Sequence, residues 1–327
     1  MKAITTAAAG LLTASAALAD TPVLTVYAGD YIVSEWGPGP KIEEMFEAQC
    51  DCDLQFKPGD LLPRILLEGD RTEADVVFGL NTDVTKKARE SGLFAPHGQD
   101  LSPLTLPIEW DDEIFLPYNY GHTAFVYDTE RLPEPPQSFD ALLNAPDDLK
   151  IVIQDPRSSI SGLATVLWVQ AVYGDEAEAA WEELAPKILT VTKGWSESYG
   201  LFTDGEADMV LSYTTSPAYH LIAEEDDSKT AALFDEGHYM QIEVAGKLAG
   251  SDQPELADRF LQYLVSDAAQ SVLPTTNWMY PAVTPEGGLP EGFDGMIQPG
   301  KALLVPNGEV PALREEALDE WLTALSR

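Results

Sequence analysis

The sequence predicts an α/β protein built from two doubly wound lobes that are joined by hinge strands. Two observations support this fold class. A β-α-β-α-β pattern runs from Val23 to Leu80, and an alternation of strands and helices restarts at Lys150. The chain has 327 residues, whereas single hydrophobic cores stop growing near ~250–300 residues. Because no low-complexity linker separates the two patterns, we expect extended strands to connect the lobes.

The first half of the chain alternates short apolar runs with helical patterns. Runs rich in β-branched and aromatic residues indicate strands, and apolar residues at helical spacing indicate helices. The predicted strands are 23–27, 53–57, 74–80, 115–118 and 122–127, and the predicted helices are 41–48 and 61–69. We expect the strand at 122–127 to cross into the second lobe.

The second half continues in the same way and ends in an amphipathic helix. Its predicted strands are 151–154, 189–192, 207–213 and 239–245, and its predicted helices are 163–174, 177–184, 196–203, one starting near Thr215, 254–266, 267–273 and 311–326. The last helix places Leu313, Leu318, Leu322 and Leu325 on one side. We assign residues 20–120 and 238–280 to lobe 1, and residues 121–237 and 281–327 to lobe 2.

The N-terminus is typical of a secretory signal peptide. Lys2 precedes an apolar stretch at 7–18, and Ala17-Leu18-Ala19 matches a cleavage site of the A-x-A type. We therefore predict that residues 1–19 are removed after Ala19. Since Asp20 and not a cysteine stands immediately after the cleavage site, we expect an exported soluble protein without a lipid anchor.

Acidic residues outnumber basic ones by 55 to 19, and the excess is spread along the whole chain. Such a surface argues against nucleic acid and anionic membranes as partners. A general surface adaptation explains the charge, and a small cationic ligand would be attracted only weakly because salt screens the field over about 10 Å.

The two cysteines form a Cys50-Asp51-Cys52 motif. An exported protein meets an oxidising compartment, so we expect a local disulfide with a structural role. Two ligands alone make a poor metal site, and we expect neither a metal nor a cofactor.

Two aromatic residues stand where predicted strands end. Trp195 follows the strand at 189–192, and Tyr213 closes the strand at 207–213, just before Thr214-Thr215-Ser216-Pro217. Ligands of open α/β sheets bind outside the carboxyl ends of strands. Either aromatic alone fits ordinary packing, but the two together favour a ligand pocket.

Other residues extend this candidate site. Loop 155–162 offers Ser158, Ser159 and Ser161, which fit an anion cradle and ordinary N-capping equally well. Further aromatics lie in loops or at the ends of elements, and they are Tyr31, Trp36, Tyr219 and Trp278. Aromatic faces of this kind suit a flat cationic heterocycle.

Catalytic motifs are lacking. Gly194-Trp195-Ser196-Glu197-Ser198 has no closing glycine and is not a nucleophile elbow. The four histidines are scattered, and no H-E-x-x-H motif occurs. Because nothing assembles a nucleophile, a base and an orienting group, we expect no catalytic residue and interpret the chain as a bilobal solute-binding protein rather than an enzyme.

Several motifs resemble the thiamine-binding periplasmic proteins of ABC importers. They are VLTVY, SEWGPGPKIEEMFEAQCDC, RILLEG…ADVVFGL, YGHTAFVYD, QDPRSS, VTKGWSESYGLF, LSYTTSPAYH, EGHYMQIEVA and TTNWMYPA, in order along the chain. The resemblance implies the type II periplasmic-binding-protein fold and a periplasmic monomer. It also implies capture of thiamine and its mono- and diphosphate between the lobes, for delivery to an inner-membrane ABC permease.

The family's ligand residues carry over to specific positions. The resemblance assigns ligand contacts to Trp195, Tyr213, Thr214, Thr215, Ser216, Pro217, Tyr219 and Trp278, and contacts with the phosphate end to Ser159 and Ile160. We add Tyr31, Trp36, Gly59 and Asp60 as candidates.

Two departures from the family concern the first lobe. The loop after the second strand is shortened to Lys57-Pro58-Gly59-Asp60, which puts in doubt the role of Asp60 as a cation partner. Gly29 replaces a tyrosine of the family, so either Tyr31 fills that space or the pocket is roomier there.

Two rival functions stay open. One is a binding protein of the same fold for ferric ion, which needs clustered tyrosines, or for a polyamine, which needs carboxylates at both ends of the cleft. The other is a secreted thiamine-degrading enzyme with a cysteine nucleophile, for which only Cys50 and Cys52 are available.

Overall fold

Two long strands run through both halves of the molecule and connect its two mixed sheets. The computed structural model describes residues 21–305 and 310–326. The strands are β1 Val23–Ala28, β2 Asp53–Pro58, β3 Val76–Asn81, β4 Phe94–Ala95, β5 Leu116–Asp128, β6 Ile151–Gln154, β7 Ile188–Thr192, β8 Met209–Tyr213, β9 Lys229–Ala231, β10 His238–Leu248, β11 Tyr280–Pro281 and β12 Ala302–Leu303.

Helices cover these strands and close the chain. They are α1 Asp30–Val33, α2 Gly39–Cys50, α3 Leu61–Glu68, α4 Thr82–Glu90, α5 Phe139–Leu143, α6 Ile160–Tyr173, α7 Ala177–Leu184, α8 Trp195–Thr203, α9 Pro217–Ala223, α10 Pro254–Leu264, α11 Asp267–Gln270, α12 Leu273–Thr276 and α13 Val310–Leu325. None of the described helices combines the length and the apolar character that crossing a membrane requires.

The strand order is β2-β1-β3-β10-β5-β8-β6-β7, with β4 and β12 pairing with β10, and β9 and β11 pairing with β5. The sheet of the first lobe holds parallel β2, β1 and β3, and the sheet of the second lobe holds parallel β8, β6 and β7. Strands β10 and β5 lie between them; they are antiparallel to each other, and β10 is antiparallel to β3 as β5 is to β8. The predicted fold class of two α/β lobes joined by strands is confirmed.

Strand β5 is the connection between the lobes. Its residues up to His122 pair with β10, and its residues from Thr123 onward pair with β8. The prediction of two separate strands at 115–118 and 122–127 was therefore wrong. Pro117 lies within β5 where the β5–β10 register shifts, and proline is tolerated at such irregularities.

Each lobe has its own core. The second lobe packs Phe125, Phe139, Trp168, Trp181 and Phe234 in one cluster. The two faces of the first sheet carry separate clusters, and every residue of β3 is buried. This burial agrees with the prediction of a parallel strand covered on both faces. The residue boundaries assigned to the lobes remain a prediction.

Two further expectations concern local features. The Cys50–Cys52 disulfide is present at the end of α2, with the two Cα atoms 5.1 Å apart. Asp51 between them takes a left-handed φ of 54°. The predicted signal peptide lies outside the described residues.

The buried face of α13 differs from the predicted leucine face. Ala317, Trp321 and Ala324 are buried, whereas Leu322 is 40% exposed. Leu313 and Leu325 only flank the core. Trp321 fills the space against the second lobe. The helix is therefore rotated so that Ala317, Trp321 and Ala324, at spacing i, i+4, i+7, face inward.

We expect Trp321→Ala to destabilise the protein by about 3–5 kcal/mol because it leaves a cavity in a packed core. The matched variant Leu322→Ala, one residue away on the exposed side, should change the free energy of unfolding by less than about 0.5 kcal/mol. Urea denaturation of both variants measures this. Equal losses would contradict the observed rotation of α13.

His122 makes the stability of the hinge strand depend on pH. Burial lowers its pKa to about 4, and nearby His238 adds to the lowering. An unfolded histidine titrates near about 6.5. The native state therefore binds fewer protons than the unfolded state in this window, and stability present above about pH 6.5 is lost as the pH falls towards about 4.

We expect the free energy of unfolding of His122→Gln to fall less than that of the wild type as the pH is lowered through this window. The difference between the two losses should be on the order of 3 kcal/mol or less. Chemical denaturation at several pH values measures the difference. Parallel stability curves for the two proteins would show that His122 is not the titrating group.

Candidate ligand-binding site

Indole rings from the two lobes meet over the cleft. Trp36 lies between α1 and α2 of the first lobe and is 47% exposed, and Trp195 opens α8 of the second lobe. Their ring centroids are 6.1 Å apart. Trp195 stacks on Tyr199 at 4.5 Å, and its Nε1 donates a hydrogen bond of 2.7 Å to Ser212 Oγ. The contacts with Tyr199 and Ser212 thus fix the orientation of the Trp195 ring.

A second aromatic pair consists of Tyr219 on α9 and Trp278 after α12. Their centroids are 5.3 Å apart in an edge-to-face arrangement. Trp278 has a φ of 54°, which a non-glycine residue adopts only when its surroundings impose it. On one side Asn277 is hydrogen-bonded to Glu243. On the other, Met279 lies so close to Gly121 that a Cβ there would be 2.7 Å from its sulfur.

Most hydroxyl groups in the turn after β8 are already hydrogen-bonded within the protein. Ser216 Oγ accepts a hydrogen bond from Tyr213 N and contacts Ser212 Oγ, and Thr215 Oγ1 donates to Met279 Sδ. Thr214 Oγ1 is buried without a hydrogen-bond partner among the described residues. Pro217 begins α9, two residues later than predicted from the sequence.

The loop between β6 and α6 is held by serine hydroxyls. Ser159 Oγ accepts a hydrogen bond from Gly162 N and lies 2.9 Å from Ser161 Oγ, which donates to Gln154. Ser158 Oγ donates to Lys193 O. The N-capping interpretation is confirmed for Ser159, and Ile160 is the first residue of the 14-residue helix.

Tyr213 connects this loop to the hinge. The polar side chains of Gln241 on β10 and of Ser161 act to lower the pKa of its hydroxyl. Burial, the largest effect, and the charge of Glu243 act in the opposite sense and raise the pKa well above its usual value. The phenol therefore stays neutral, able to donate one hydrogen bond and to accept others.

On the first lobe, Tyr31 fills the space that Gly29 leaves. A Cβ on Gly29 would be 2.6 Å from the Tyr31 ring. Gly59 and Asp60 are exposed at the carboxyl end of β2, and Gly59 has a φ of 149°. In the described part of the chain, no side-chain hydrogen bond or ion pair links Asp60 to the aromatic rings.

The sequence analysis missed Glu243, on hinge strand β10. Its side chain is buried, and Oε2 accepts hydrogen bonds from Tyr118 (2.7 Å), Asn119 (2.8 Å) and Asn277 (3.2 Å). Burial raises its pKa, and these hydrogen bonds offset part of the rise. Glu243 is the one charged residue in the strand pattern YMQIEVA, and this was the available signal.

Other clefts lie away from these rings. A cavity of about 530 Å³ is lined by Trp110 and the acidic run 111–113, and one of about 180 Å³ by Thr214, Pro217 and Lys229. Trp36 and Trp195 contact each other, with 6.1 Å between their ring centroids. A ligand that lies between these two rings would have to separate them.

One cluster has the composition of a metal site. His220, Glu224 and Asp226 bring one ligand atom each within 4.8 Å of one another. However, Lys229 Nζ lies 3.0 Å from Asp226, and Ser228 together with Lys229 lowers the pKa of that carboxyl group. His220 also contacts Tyr199 and Glu224 directly. We interpret the cluster as an ion-paired support behind Tyr199 and Trp195.

Comparisons with known proteins agree with this geometry. The model of the bacterial extracellular solute-binding protein family matches residues 37–271. A thiamine-binding periplasmic protein of Brucella abortus is 49% identical over 93% of this chain and 92% of its own. That of Escherichia coli is 47% identical over 97% of this chain and 98% of its own. A solved structure of a periplasmic thiamin binding protein matches with a TM-score of 0.91 and 46% identity, over 97% of this chain and 100% of its own.

These findings confirm the resemblance seen in the sequence and the type II periplasmic-binding-protein fold. The relatives are named for binding rather than for catalysis. The chain belongs to the bacterial extracellular solute-binding protein family, in the branch that contains the thiamine-binding periplasmic proteins.

Proposed function

We propose that this protein binds thiamine, thiamine monophosphate and thiamine diphosphate between its lobes in the periplasm and delivers them to an ABC importer. The observation that carries the proposal is the meeting of Trp36 and Trp195 from opposite lobes, at 6.1 Å between centroids. Trp278 and Tyr219 add a second aromatic surface. The thiamine-binding relatives, 46–49% identical, support the choice of ligand.

The rings suit a flat cation. Each cation–π contact with Trp or Tyr contributes roughly 0.5–2 kcal/mol, more when it is dry. Since the rings belong to both lobes, a ligand lying between them gains contacts only when the lobes are closed. Only such a difference in affinity shifts an open–closed equilibrium. Closure on the ligand would then distinguish the loaded protein for an ABC permease.

The phosphate end of the ligand belongs, on this proposal, beside Ser159 and Ile160. The start of the long helix α6 supplies backbone N–H groups and the positive end of its dipole. Ser159 and Ser161 add hydroxyl groups 2.9 Å apart. The hydroxyethyl end of free thiamine would lie on the same side.

The structure weighs against the rival functions. Cys50 and Cys52 are joined in a disulfide, so neither offers a thiolate for thiamine cleavage. Burial and then the charge of Glu243 raise the pKa of Tyr31 and Tyr118 well above its usual value. A ferric site would need tyrosinates, which this environment disfavours. We therefore propose a binding protein without catalytic activity that acts as a monomer.

We expect Trp195→Ala and Trp278→Ala each to weaken thiamine binding at least about tenfold because each removes a stacking and cation–π surface. Isothermal titration calorimetry with thiamine measures the affinities. Trp110→Ala is the matched control, since Trp110 lines the 530 Å³ cavity instead of the aromatic cluster. It should bind thiamine as the wild type does. The reverse pattern would place the ligand in that other cavity.

The phosphate end can be tested separately. We expect Ser159→Ala to reduce affinity for thiamine monophosphate by about three- to tenfold more than affinity for thiamine, because a hydroxyl donor to a charged phosphate is lost. Ser138→Ala removes an equivalent N-cap from α5 in the same lobe and should not change either affinity. Identical losses for both vitamers in Ser159→Ala would refute this placement of the phosphate.

A further inference from the structure

A row of polar side chains forms the floor of the cleft on the hinge strands. Glu243 of β10 lies opposite Asn81 of β3 on one side and Asn119 of β5 on the other. Directly opposed residues project from the same face of a sheet, and so do residues two apart along one strand. Gln241 therefore joins this face. We call Asn81, Asn119, Gln241 and Glu243 the acceptor floor.

The three amides of the acceptor floor have their nitrogen atoms engaged. Asn81 Nδ2 donates to Asp83 at 3.0 Å, Asn119 Nδ2 to Glu243 Oε2 at 2.8 Å, and Gln241 Nε2 to Glu243 Oε1 at 3.5 Å. Turning any amide over would set its oxygen against a carboxylate oxygen. The carboxylates thus fix which end of each amide stays available.

The oxygen ends of these amides are unsatisfied. Asn81 Oδ1, Asn119 Oδ1 and Gln241 Oε1 are buried without a hydrogen-bond partner among the described residues, and all three side chains are 0% exposed. Buried polar atoms are normally paired, because an unmade hydrogen bond in a dry site is costly. Three lone acceptors on one face point to a ligand that supplies N–H donors.

Glu243 adds an uncompensated charge to this face. Its partners at short distance are the neutral groups of Tyr118, Asn119 and Asn277. Among the ion pairs of the described residues, none involves Glu243. A buried carboxylate held only by neutral donors favours a positive ligand.

The acceptor floor adjoins the proposed aromatic site on both sides. The hydroxyl of Tyr31 from the first lobe lies 3.4 Å from that of Tyr118, which donates a hydrogen bond to Glu243. The ring of Tyr213 from the second lobe lies 3.6 Å from the position that a Cβ on Gly121 would take, and Gly121 is paired with Gln241. Asn277, bonded to Glu243, immediately precedes Trp278. A ligand held between the rings therefore reaches these acceptors.

We propose that the acceptor floor determines specificity: it receives the amino-bearing end of a cationic heteroaromatic ligand and rejects rings that present a carbonyl there. For thiamine, whose binding is the proposed function on which this inference rests, the group received is the amino group of the aminopyrimidine ring. A carbonyl oxygen at that position would face the acceptor oxygens of the floor. Those oxygens would then stay without a hydrogen-bond donor. Glu243 sets this preference because it orients Asn119 and Gln241 and carries the charge.

The test compares thiamine with oxythiamine, which keeps the thiazolium charge but has a carbonyl in place of the amino group. Calorimetry should be done at mildly alkaline pH to keep Glu243 ionised, since burial raises its pKa. We expect the wild type to prefer thiamine by about 100-fold or more. Glu243→Gln should reduce that ratio at least about tenfold, because the new amide can donate to a carbonyl.

Two further variants make the result decisive. Gln241→Met removes one floor acceptor at similar volume and should also reduce the ratio. Asp75→Asn neutralises another buried carboxylate, one that accepts hydrogen bonds from Thr25 and Ser251 at the other end of β3, and should leave the ratio unchanged. Thermal denaturation shows which variants are folded.

The outcomes separate the two proposals. A wild type that binds no thiamine overturns the proposed function and this inference with it. A wild type that binds thiamine, with an unchanged ratio in folded Glu243→Gln or Gln241→Met, overturns the acceptor floor alone. A wild type that binds both ligands equally well also overturns it.

Discussion

The pairing of β5 with β10 is the constraint on which the rest of the structure depends. These strands are the longest in the described chain, and their antiparallel hydrogen bonds pass from the first sheet to the second. They place Glu243 and Gln241 between residues of both lobes. They also fix where the lobes hinge, so that Trp36 and Trp195 approach each other from opposite sides. We propose that a solute binds at the carboxyl ends of these strands, as ligands of open α/β sheets do.

Local patterns in the sequence were sufficient to predict most elements and the positions of two aromatic residues. Trp195 and Tyr213 could be placed because each stands at the end of a short apolar strand, and the structure has them there. For the serines of loop 155–162 the sequence left an anion cradle and N-capping open, and the structure shows that Ser159 is the cap of α6. Such features depend on neighbours within a few residues, which sequence periodicity reports directly.

Features that depend on residues far apart in the sequence were not predicted. Glu243 belongs to the proposed site because β3 and β5 bring Asn81 and Asn119 beside it, and no local pattern encodes that pairing. Strand β5 continues through Pro117 because the register shifts there. The inward face of α13 is set by how Trp321 fits the second lobe and not by the leucine spacing. In each case tertiary packing decided between locally acceptable alternatives.

The central claim is that a cationic vitamin lies between the indole and phenol rings of the two lobes, above the polar face of the hinge strands. A crystal structure of the protein with thiamine tests it most directly. The account predicts the thiamine rings in contact with Trp195 and Trp278, with the amino group towards Glu243. Thiamine found in the cavity beside Trp110, or bound outside the cleft with Trp36 and Trp195 still in contact, would contradict it.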